Sequence, residues 1–264
     1  MKIGFIGAGN MAGAIIRGMT AGGFRGSDIV AFDTDNEKLM SLFEDCGVCM
    51  ASSAVEVAEQ VDALVLAVKP QVFPAALPPL APALHRYTPL VISIAAGKTI
   101  ASIEELIGSG LPIVRVMPNI AAKVGESMSA FCGNDAVEET QKSVVRLIFE
   151  AVGEAVELEE RLFSAYAAIA GCSPAFTLLY LDALAEAGVR YGIPKATALK
   201  IAAQAVLGTT RLLQESGEHP RSLVDQVCSP AGTTIEGVCA LQDKGFEAAV
   251  LEAVRSSYEK DQRL

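Results

Sequence analysis

The sequence of 264 residues lacks the features that mark several large classes of protein. It has 21 lysine and arginine residues against 31 aspartate and glutamate residues, a formal net charge of −10. This acidity provides no basic footprint for nucleic acid or for an anionic membrane surface. No run of 18 uninterrupted apolar residues occurs, so we expect no membrane-spanning helix. A strand pattern begins at residue 2, and we therefore expect no targeting segment and a cytoplasmic location.

Cysteine and histidine are also scarce. The six cysteines are scattered through apolar or turn-like segments, and we interpret them as reduced thiols. Cys46 and Cys49 form a C-x-x-C pattern, but no second pair follows, and Gly47 is typical of a helix end before a short strand. The pattern therefore predicts neither a metal site nor a redox site. His85 and His219 lie outside every motif and are expected at the surface, which disfavours histidine acid–base chemistry.

A glycine-rich motif follows the first predicted strand, residues 2–7. The segment Gly7-Ala8-Gly9-Asn10-Met11-Ala12 has the pattern G-x-G-x-x-A and runs into apolar residues at helical spacing. Gly7 permits a tight turn, Gly9 lets the backbone approach a pyrophosphate, and Ala12 lets the helix pack closely on the strand. Because the motif stands between a strand and a helix, it predicts a dinucleotide site. The alternative is a turn with only a structural role.

The second predicted strand, residues 28–33, ends in Asp33. In dinucleotide-binding folds a carboxylate at this place meets the hydroxyls of the adenosine ribose and repels a 2′-phosphate. No arginine or lysine stands beside Thr34 and Asp35, so the local charge favours NADH over NADPH. The alternative is that Asp33 and Asp35 only cap the helix that begins near Asn36.

Strands and helices alternate as far as residue 158 and helices alone follow. Further strands are predicted at 63–68, 90–94, 112–117, 127–132 and 152–158, and later helices at about 173–192, 194–217, 220–228, 235–245 and 246–260. The fold class is therefore α/β, with an N-terminal Rossmann-like doubly wound sheet followed by an all-α C-terminal domain. We expect a dinucleotide-binding domain at 1–160 and a helical domain at 161–264. The apolar helices of the second domain either pack on one another or form an intertwined dimer.

The loops after three strands are candidates for the ligand-binding edge of the sheet. They are Ala67-Val68-Lys69-Pro70, Ala95-Ala96-Gly97 and Pro118-Asn119. Small residues at such an edge let a ligand lie against the backbone. Lys69 either faces the cofactor or is a solvated loop lysine.

The turn Ser229-Pro230-Ala231-Gly232-Thr233-Thr234 leads into an apolar-periodic segment near the C-terminus. Backbone N–H groups at a helix start, together with the helix dipole, favour an anion. The hydroxyls of Thr233 and Thr234 add two donors. The alternative is a turn that only caps the helix.

These motifs, in their order along the whole chain, resemble the pyrroline-5-carboxylate reductase family. The matching segments are Gly4–Met11, Ala67–Gln71, Ala95–Gly97, Val114–Asn119 and Ser229–Ile235. The last segment is the family's own signature, whereas the first is shared by many dinucleotide enzymes. The family usually has two glycines where this chain has Ala231-Gly232, and a left-handed residue there would cost about 1 kcal/mol with a Cβ. The chain also departs from the family at Ile120-Ala121 and at Gly171–Phe176.

The resemblance implies reduction of 1-pyrroline-5-carboxylate to L-proline, the last step of proline biosynthesis, with NADPH or NADH. It implies a small-molecule substrate, no nucleic acid, no membrane, no metal, and a homodimer or a higher assembly of dimers with an interface formed by helices at 174–216. The family's site lies between the nucleotide domain and helices that often come from a second subunit. The cofactor residues implied are Ile6, Gly7, Ala8, Gly9, Asn10, Met11, Asp33, Ala67, Val68, Lys69, Pro70, Ala95, Ala96 and Asn119. The substrate residues implied are Ser229, Gly232, Thr233 and Thr234, with Thr234 as the catalytic residue that hydrogen-bonds the ring nitrogen.

Two other functions stay open from the sequence. A related hydroxyacid dehydrogenase would need a lysine on the first long helix after the sheet, and the segment Ala165–Gly188 contains none. A protein that senses NADH without turnover would need no Ser229–Thr234 site. A reductase that acts on a different imine is a variant of the reductase hypothesis.

Overall fold

The computed structural model describes residues 1–263. Its sheet has eight strands in the order β3-β2-β1-β4-β5-β6-β7-β8. The strands are β1 Ile3–Ile6, β2 Ile29–Phe32, β3 Cys49–Met50, β4 Ala63–Leu66, β5 Leu90–Ser93, β6 Ile113–Met117, β7 Ser127–Gly133 and β8 Gly153–Glu157. All neighbouring strands run parallel except β6 and β7, which are antiparallel. The predicted doubly wound sheet is confirmed.

Side chains on both faces of the central strands are buried. Ile3 and Phe5 of β1 join a core on one face, while Ile6 and Leu64 join a core on the other. Helices cover both faces, which explains why the strands are continuous apolar runs instead of alternating apolar and polar residues. The chain order reverses between β1 and β4, so the crevice for a ligand lies beyond the carboxyl ends of these two strands.

Thirteen α-helices occur among residues 1–263. In the sheet unit they are α1 Asn10–Ala21, α2 Asn36–Cys46, α3 Ala54–Ala58, α4 Phe73–Ala76, α5 Ala81–Tyr87, α6 Ile100–Ile107, α7 Glu139–Glu150 and α8 Phe163–Tyr166. The later helices are α9 Ser173–Arg190, α10 Lys195–Ser216, α11 Pro220–Val227, α12 Thr233–Asp243 and α13 Phe246–Asp261. The five helices expected after residue 160 are therefore present, with bounds close to the predicted ones.

The described residues divide into two compact units, one formed by Met1–Gly171 with residues 261–263 and one formed by Cys172–Lys260. In the helical unit only three residues are buried, the alanines Ala185, Ala198 and Ala202, where α9 packs on α10. Many large apolar side chains of this unit are exposed, among them Leu178, Leu179, Tyr191, Ile201, Leu207 and Leu251. A unit with so small a core cannot gain enough from internal burial to offset the conformational entropy of its ordered chain, so its apolar faces need a further partner.

One continuous helical run, Glu160–Arg190, is long and apolar enough to cross a membrane by length and composition alone. In the most apolar 18 residues of this run, 17% are buried within the chain. The run has no 18-residue stretch free of polar residues, which is why the sequence predicted no span. Its exposure fits the need of the helical unit for a partner surface.

Candidate active site

A cleft of about 510 Å³ lies at the carboxyl ends of β1, β4 and β5. Each of these strands contributes the loop that follows it, because parallel strands bring their carboxyl ends to one edge of the sheet. The lining residues are Gly9, Asn10, Met11, Ala14, Lys38, Ala67, Val68, Lys69, Pro70, Ile94, Ala95, Ala96, Ile120 and Lys123.

The glycine loop has the geometry that its sequence predicts. Gly7 has φ +104°, and a Cβ on it would lie 2.7 Å from the carbonyl carbon and oxygen of Ala67. Gly9 is open in front, with no atom within 4 Å of the position of a Cβ. It is also the N-cap of α1, and no side chain caps this helix. The first N–H groups of α1 are therefore available to an anion at the cleft, and this geometry fits a dinucleotide's pyrophosphate.

Asp33 supports the loop from the end of β2. Its Oδ2 atom accepts a hydrogen bond from the Ala8 N–H at 2.6 Å, and its Oδ1 atom accepts one from the Asp35 N–H at 2.9 Å. Asp35 caps α2 by accepting a hydrogen bond from the Glu37 N–H. The Oδ1 atom also accepts a longer hydrogen bond from the Thr34 hydroxyl, at 3.5 Å, so it is Oδ2 that keeps an acceptor site for a ribose hydroxyl. The capping alternative thus describes Asp35, whereas Asp33 binds the glycine loop.

Basic side chains line the cleft although the chain as a whole is acidic. Among residues 1–263, its lining includes Lys38, Lys69 and Lys123 and no aspartate or glutamate. Hydrogen bonding to Asp35 raises the pKa of the Lys38 ammonium, and the nearby charge of Asp33 acts in the same direction. The cleft therefore suits a ligand that carries several phosphate charges.

The structure brings nine of the predicted cofactor residues to the cleft: Gly9, Asn10, Met11, Ala67, Val68, Lys69, Pro70, Ala95 and Ala96. Ile6 is buried in β1, Gly7 packs on Ala67, and Ala8 lines a neighbouring cavity of about 350 Å³. Contact with a cofactor stays a prediction for all of these residues, those that line the cleft included, and for Asp33.

Asn119 was also predicted to bind the cofactor. Its Nδ2 atom donates to the Ala170 carbonyl at 3.0 Å, and its Oδ1 atom accepts from the Ala121 N–H at 3.1 Å. Ala170 belongs to a π-helical turn, Ala167–Gly171, that was not predicted from the sequence. The amide of Asn119 thus joins the loop after β6 to that turn.

Five residues of the cleft were missed by the sequence analysis. They are Ala14, Lys38, Ile94, Ile120 and Lys123. Ala14 lies one helical turn after Asn10, a spacing that could have identified it. Lys38 lies in the first turn of α2, three residues beyond Asp35.

The turn Ser229–Thr234 joins α11 to α12. Ala231 has φ +54°, so the position where the family usually has glycine does adopt the left-handed conformation. Gly232 is the N-cap of α12 and donates its N–H to the Ser229 carbonyl at 3.0 Å. A Cβ on Gly232 would lie 2.3 Å from the Ser229 Oγ atom. No side chain caps α12, so its first N–H groups, and the exposed Thr233 and Thr234, are open to an anion.

The C-x-x-C segment and the two histidines have structural roles. Gly47 ends α2 in the left-handed conformation between Cys46 and Cys49, as expected. Both histidines are exposed: His85 bonds the Ile107 carbonyl, and His219 caps α11. Within residues 1–263 no group of three or more His, Cys, Asp or Glu side chains is arranged to hold a metal ion.

Two family models match the chain. Residues 160–264 match pyrroline-5-carboxylate reductase dimerisation, and residues 2–97 match NADP oxidoreductase, coenzyme F420-dependent. The pyrroline-5-carboxylate reductase of Escherichia coli strain K12 is 40% identical over 264 residues, covering 100% of this chain and 98% of the relative. That of Methanosarcina acetivorans is 39% identical, covering 100% of this chain and 97% of the relative.

Solved structures agree with the sequence relatives. A pyrroline-5-carboxylate reductase from Coxiella burnetii has a TM-score of 0.96 at 32% identity, covering 99% of this chain and 97% of its own. The Plasmodium falciparum pyrroline carboxylate reductase with NADP bound has a TM-score of 0.87 at 30% identity, covering 100% of this chain and 97% of its own. These likenesses extend over both units of the chain.

Proposed function

The chain belongs to the pyrroline-5-carboxylate reductase family, and from that premise we propose how its residues perform the reaction. The activity is NAD(P)H-dependent reduction of 1-pyrroline-5-carboxylate to L-proline, the last step of proline biosynthesis. The membership predicted from the motifs is confirmed. The observation in this chain that supports it most is the lysine-lined cleft on the glycine loop, a site suited to a dinucleotide.

We propose that the cleft holds NAD(P)H along the carboxyl ends of β1, β4 and β5. The N–H groups at the start of α1 would bind the pyrophosphate, and Asp33 would accept a hydrogen bond from the adenosine ribose. The apolar and small residues Val68, Ala95 and Ala96 would let the nicotinamide lie close to the backbone. The reduced nicotinamide, when bound, supplies the hydride.

We propose that the Ser229–Thr234 turn binds the substrate. The uncapped N–H groups of α12 and the hydroxyls of Ser229 and Thr233 would hold the carboxylate. The Thr234 hydroxyl would donate to the ring nitrogen, a role that the family resemblance implies. Such a site needs no strong base, because orientation of the ring and electrostatic stabilisation supply most of the rate.

The helical unit gives the chain its capacity to associate, since residues 160–264 match the dimerisation model. We propose a homodimer, or a higher assembly of dimers, in which α9 and α10 form the interface. Their exposed apolar side chains, such as Leu178, Leu179 and Leu207, support this assignment. Mass photometry should show a dimer or a multiple of it, and an active monomer would contradict the proposal.

We propose that the chain is a cytoplasmic enzyme that binds neither nucleic acid nor membranes. The net charge of −10 supports the proposal that it does not bind nucleic acid, because the chain has no excess of basic residues. Fractionation of cells that express the chain tests the location: recovery of the activity with the membrane fraction would contradict it.

Substitution of Thr234 tests the substrate site. We expect T234A to lower kcat by on the order of 10- to 1000-fold, because one polarising donor is lost. T234S keeps the hydroxyl and should retain most of the activity. Thr140 is a matched control, since it is exposed and is the second residue of α7 as Thr234 is of α12. Unchanged turnover in T234A, or an equal loss in T140A, would refute the role of Thr234.

A further inference from the structure

A pair of charged side chains that the proposed reaction does not use, Asp35 and Lys38, lies where the main cleft meets the neighbouring cavity. Lys38 lies in the first turn of α2 and lines both the main cleft and the neighbouring cavity. Its Nζ atom lies 2.8 Å from the Asp35 Oδ2 atom. About half of the Lys38 side chain, 50%, is exposed, so the ammonium can exchange partners without a large rearrangement.

The Asp35–Lys38 pair lies next to Asp33, the residue proposed to meet the adenosine ribose. In dinucleotide folds the residue at the end of β2 meets the ribose 2′-hydroxyl, and a basic side chain nearby accommodates a 2′-phosphate. Asp33 stands at the end of β2, and its charge acts on Lys38. The 2′-phosphate of NADPH would therefore meet the repulsion of Asp33 and the attraction of Lys38 at one place.

Arg17 also lines the neighbouring cavity, but its contacts make it a poorer candidate than Lys38 for binding a 2′-phosphate. Its Nε and Nη2 atoms donate to Asp45 at 3.1 Å and 2.7 Å, and Nη2 also donates to the Ser41 hydroxyl at 3.2 Å. A guanidinium held by two bonds to one carboxylate is harder to release than an ammonium held by one contact. Arg17 lines the neighbouring cavity but not the main cleft.

We propose that the Asp35–Lys38 ion pair sets the preference of this chain between NADP(H) and NAD(H), with Lys38 as the residue that recognises the 2′-phosphate. On binding of NADP(H) the Lys38 ammonium leaves Asp35 for the phosphate. Asp35 thus competes with the phosphate for the one lysine placed to offset the charge of Asp33. The inference rests on the proposed function, because it assumes that the cleft holds this cofactor.

Binding of the oxidised cofactors tests the inference without turnover. Isothermal titration calorimetry with NADP⁺ and with NAD⁺ gives a ratio of dissociation constants for each variant. We expect K38M to weaken NADP⁺ about tenfold and NAD⁺ less than about twofold, since a charge-assisted contact is lost only for the phosphate. K38R keeps a cation and should retain most of the affinity for NADP⁺.

Two further variants test the competition. D35N removes the rival charge but keeps a good N-cap for α2, and we expect NADP⁺ to bind roughly two- to fivefold tighter. Lys142 is the matched control, because it also forms an ion pair, with Glu157 at 2.6 Å, and lines neither the main cleft nor the neighbouring cavity. K142M should leave the ratio unchanged.

Two results would overturn the inference: an unchanged ratio of dissociation constants in K38M, whether or not both affinities fall, or weaker NADP⁺ binding in D35N. The affinity for NAD⁺ reports that each variant has kept its fold. Failure of the proposed function has a different signature, since the wild-type chain would then bind these cofactors without reducing pyrroline-5-carboxylate, or would bind neither.

Discussion

Ala231 has a left-handed backbone with φ +54° at the turn proposed to hold the substrate, and we expect glycine there to stabilise the chain. A Cβ in this conformation costs about 1 to 2 kcal/mol. Glycine loses about 0.5 to 1 kcal/mol more backbone entropy on folding, which offsets part of the gain. Because Ala231 is exposed, removal of its methyl group forfeits little burial. The net expectation for A231G is a free energy of unfolding higher by about 0.5 to 1 kcal/mol.

Urea unfolding at one fixed protein concentration measures this difference, since the stability of an oligomer depends on concentration. Amide hydrogen exchange then shows where the added stability lies. Protection from exchange should rise in the first turn of α12. Thr88 is the matched control, because it is the other residue besides glycine with positive φ in residues 1–263, at +47°, and it ends α5 in the sheet unit. T88G should give a similar gain but leave exchange in α12 unchanged.

The same substitution should leave catalysis nearly unaltered. Glycine can keep the φ of the turn, so the uncapped N–H groups of α12 should stay in place and kcat should change by less than about twofold. Lower stability in A231G, or no change while T88G is stabilised, would refute the claim that the methyl group strains this turn.

Replacing Asp33 by serine should shift the preference toward NADPH, because it removes the charge that opposes a 2′-phosphate; it should also weaken both cofactors, because the Ala8 N–H loses its partner. The ratio of the two kcat/KM values measures this, and an unaltered ratio would mean that the carboxylate only supports the loop. Burial raises the pKa of the Cys132 thiol to about 12, so that thiol should stay protonated and unreactive at about pH 8. Iodoacetamide followed by mass spectrometry should label the exposed Cys49 and Cys239 before Cys132, and equal rates at the three thiols would contradict the burial of Cys132.

Much of the fold followed from the sequence because its strands are buried on both faces. Short continuous apolar runs such as Ala63–Leu66, which alternate along the chain with helical segments, are typical of parallel strands that are buried on both faces. The short helices between β4 and β5, Phe73–Ala76 and Ala81–Tyr87, were not predicted. Their segments contain several prolines, which obscure helical periodicity.

The cleft could be predicted only where it depends on backbone geometry. The glycine loop and Ala95-Ala96 both follow strands and need small residues. Small residues directly after a predicted strand can be recognised in the sequence. Lys38 and Lys123 reach the cleft from the turn of a helix and from a 3₁₀ turn, Ile120–Val124, so their place depends on packing. Asn119 follows a strand as a ligand residue would, yet its amide bonds Ala121 and Ala170, a tertiary contact that sequence spacing does not reveal.

Oxidation of NADPH and, separately, of NADH by the purified chain with pyrroline-5-carboxylate tests the central claim most directly. We expect the absorbance of the reduced cofactor to fall only when both substrate and chain are present, with L-proline formed in equal amount. Cofactor binding without oxidation of either, in a chain shown to be folded and oligomeric, would contradict the account.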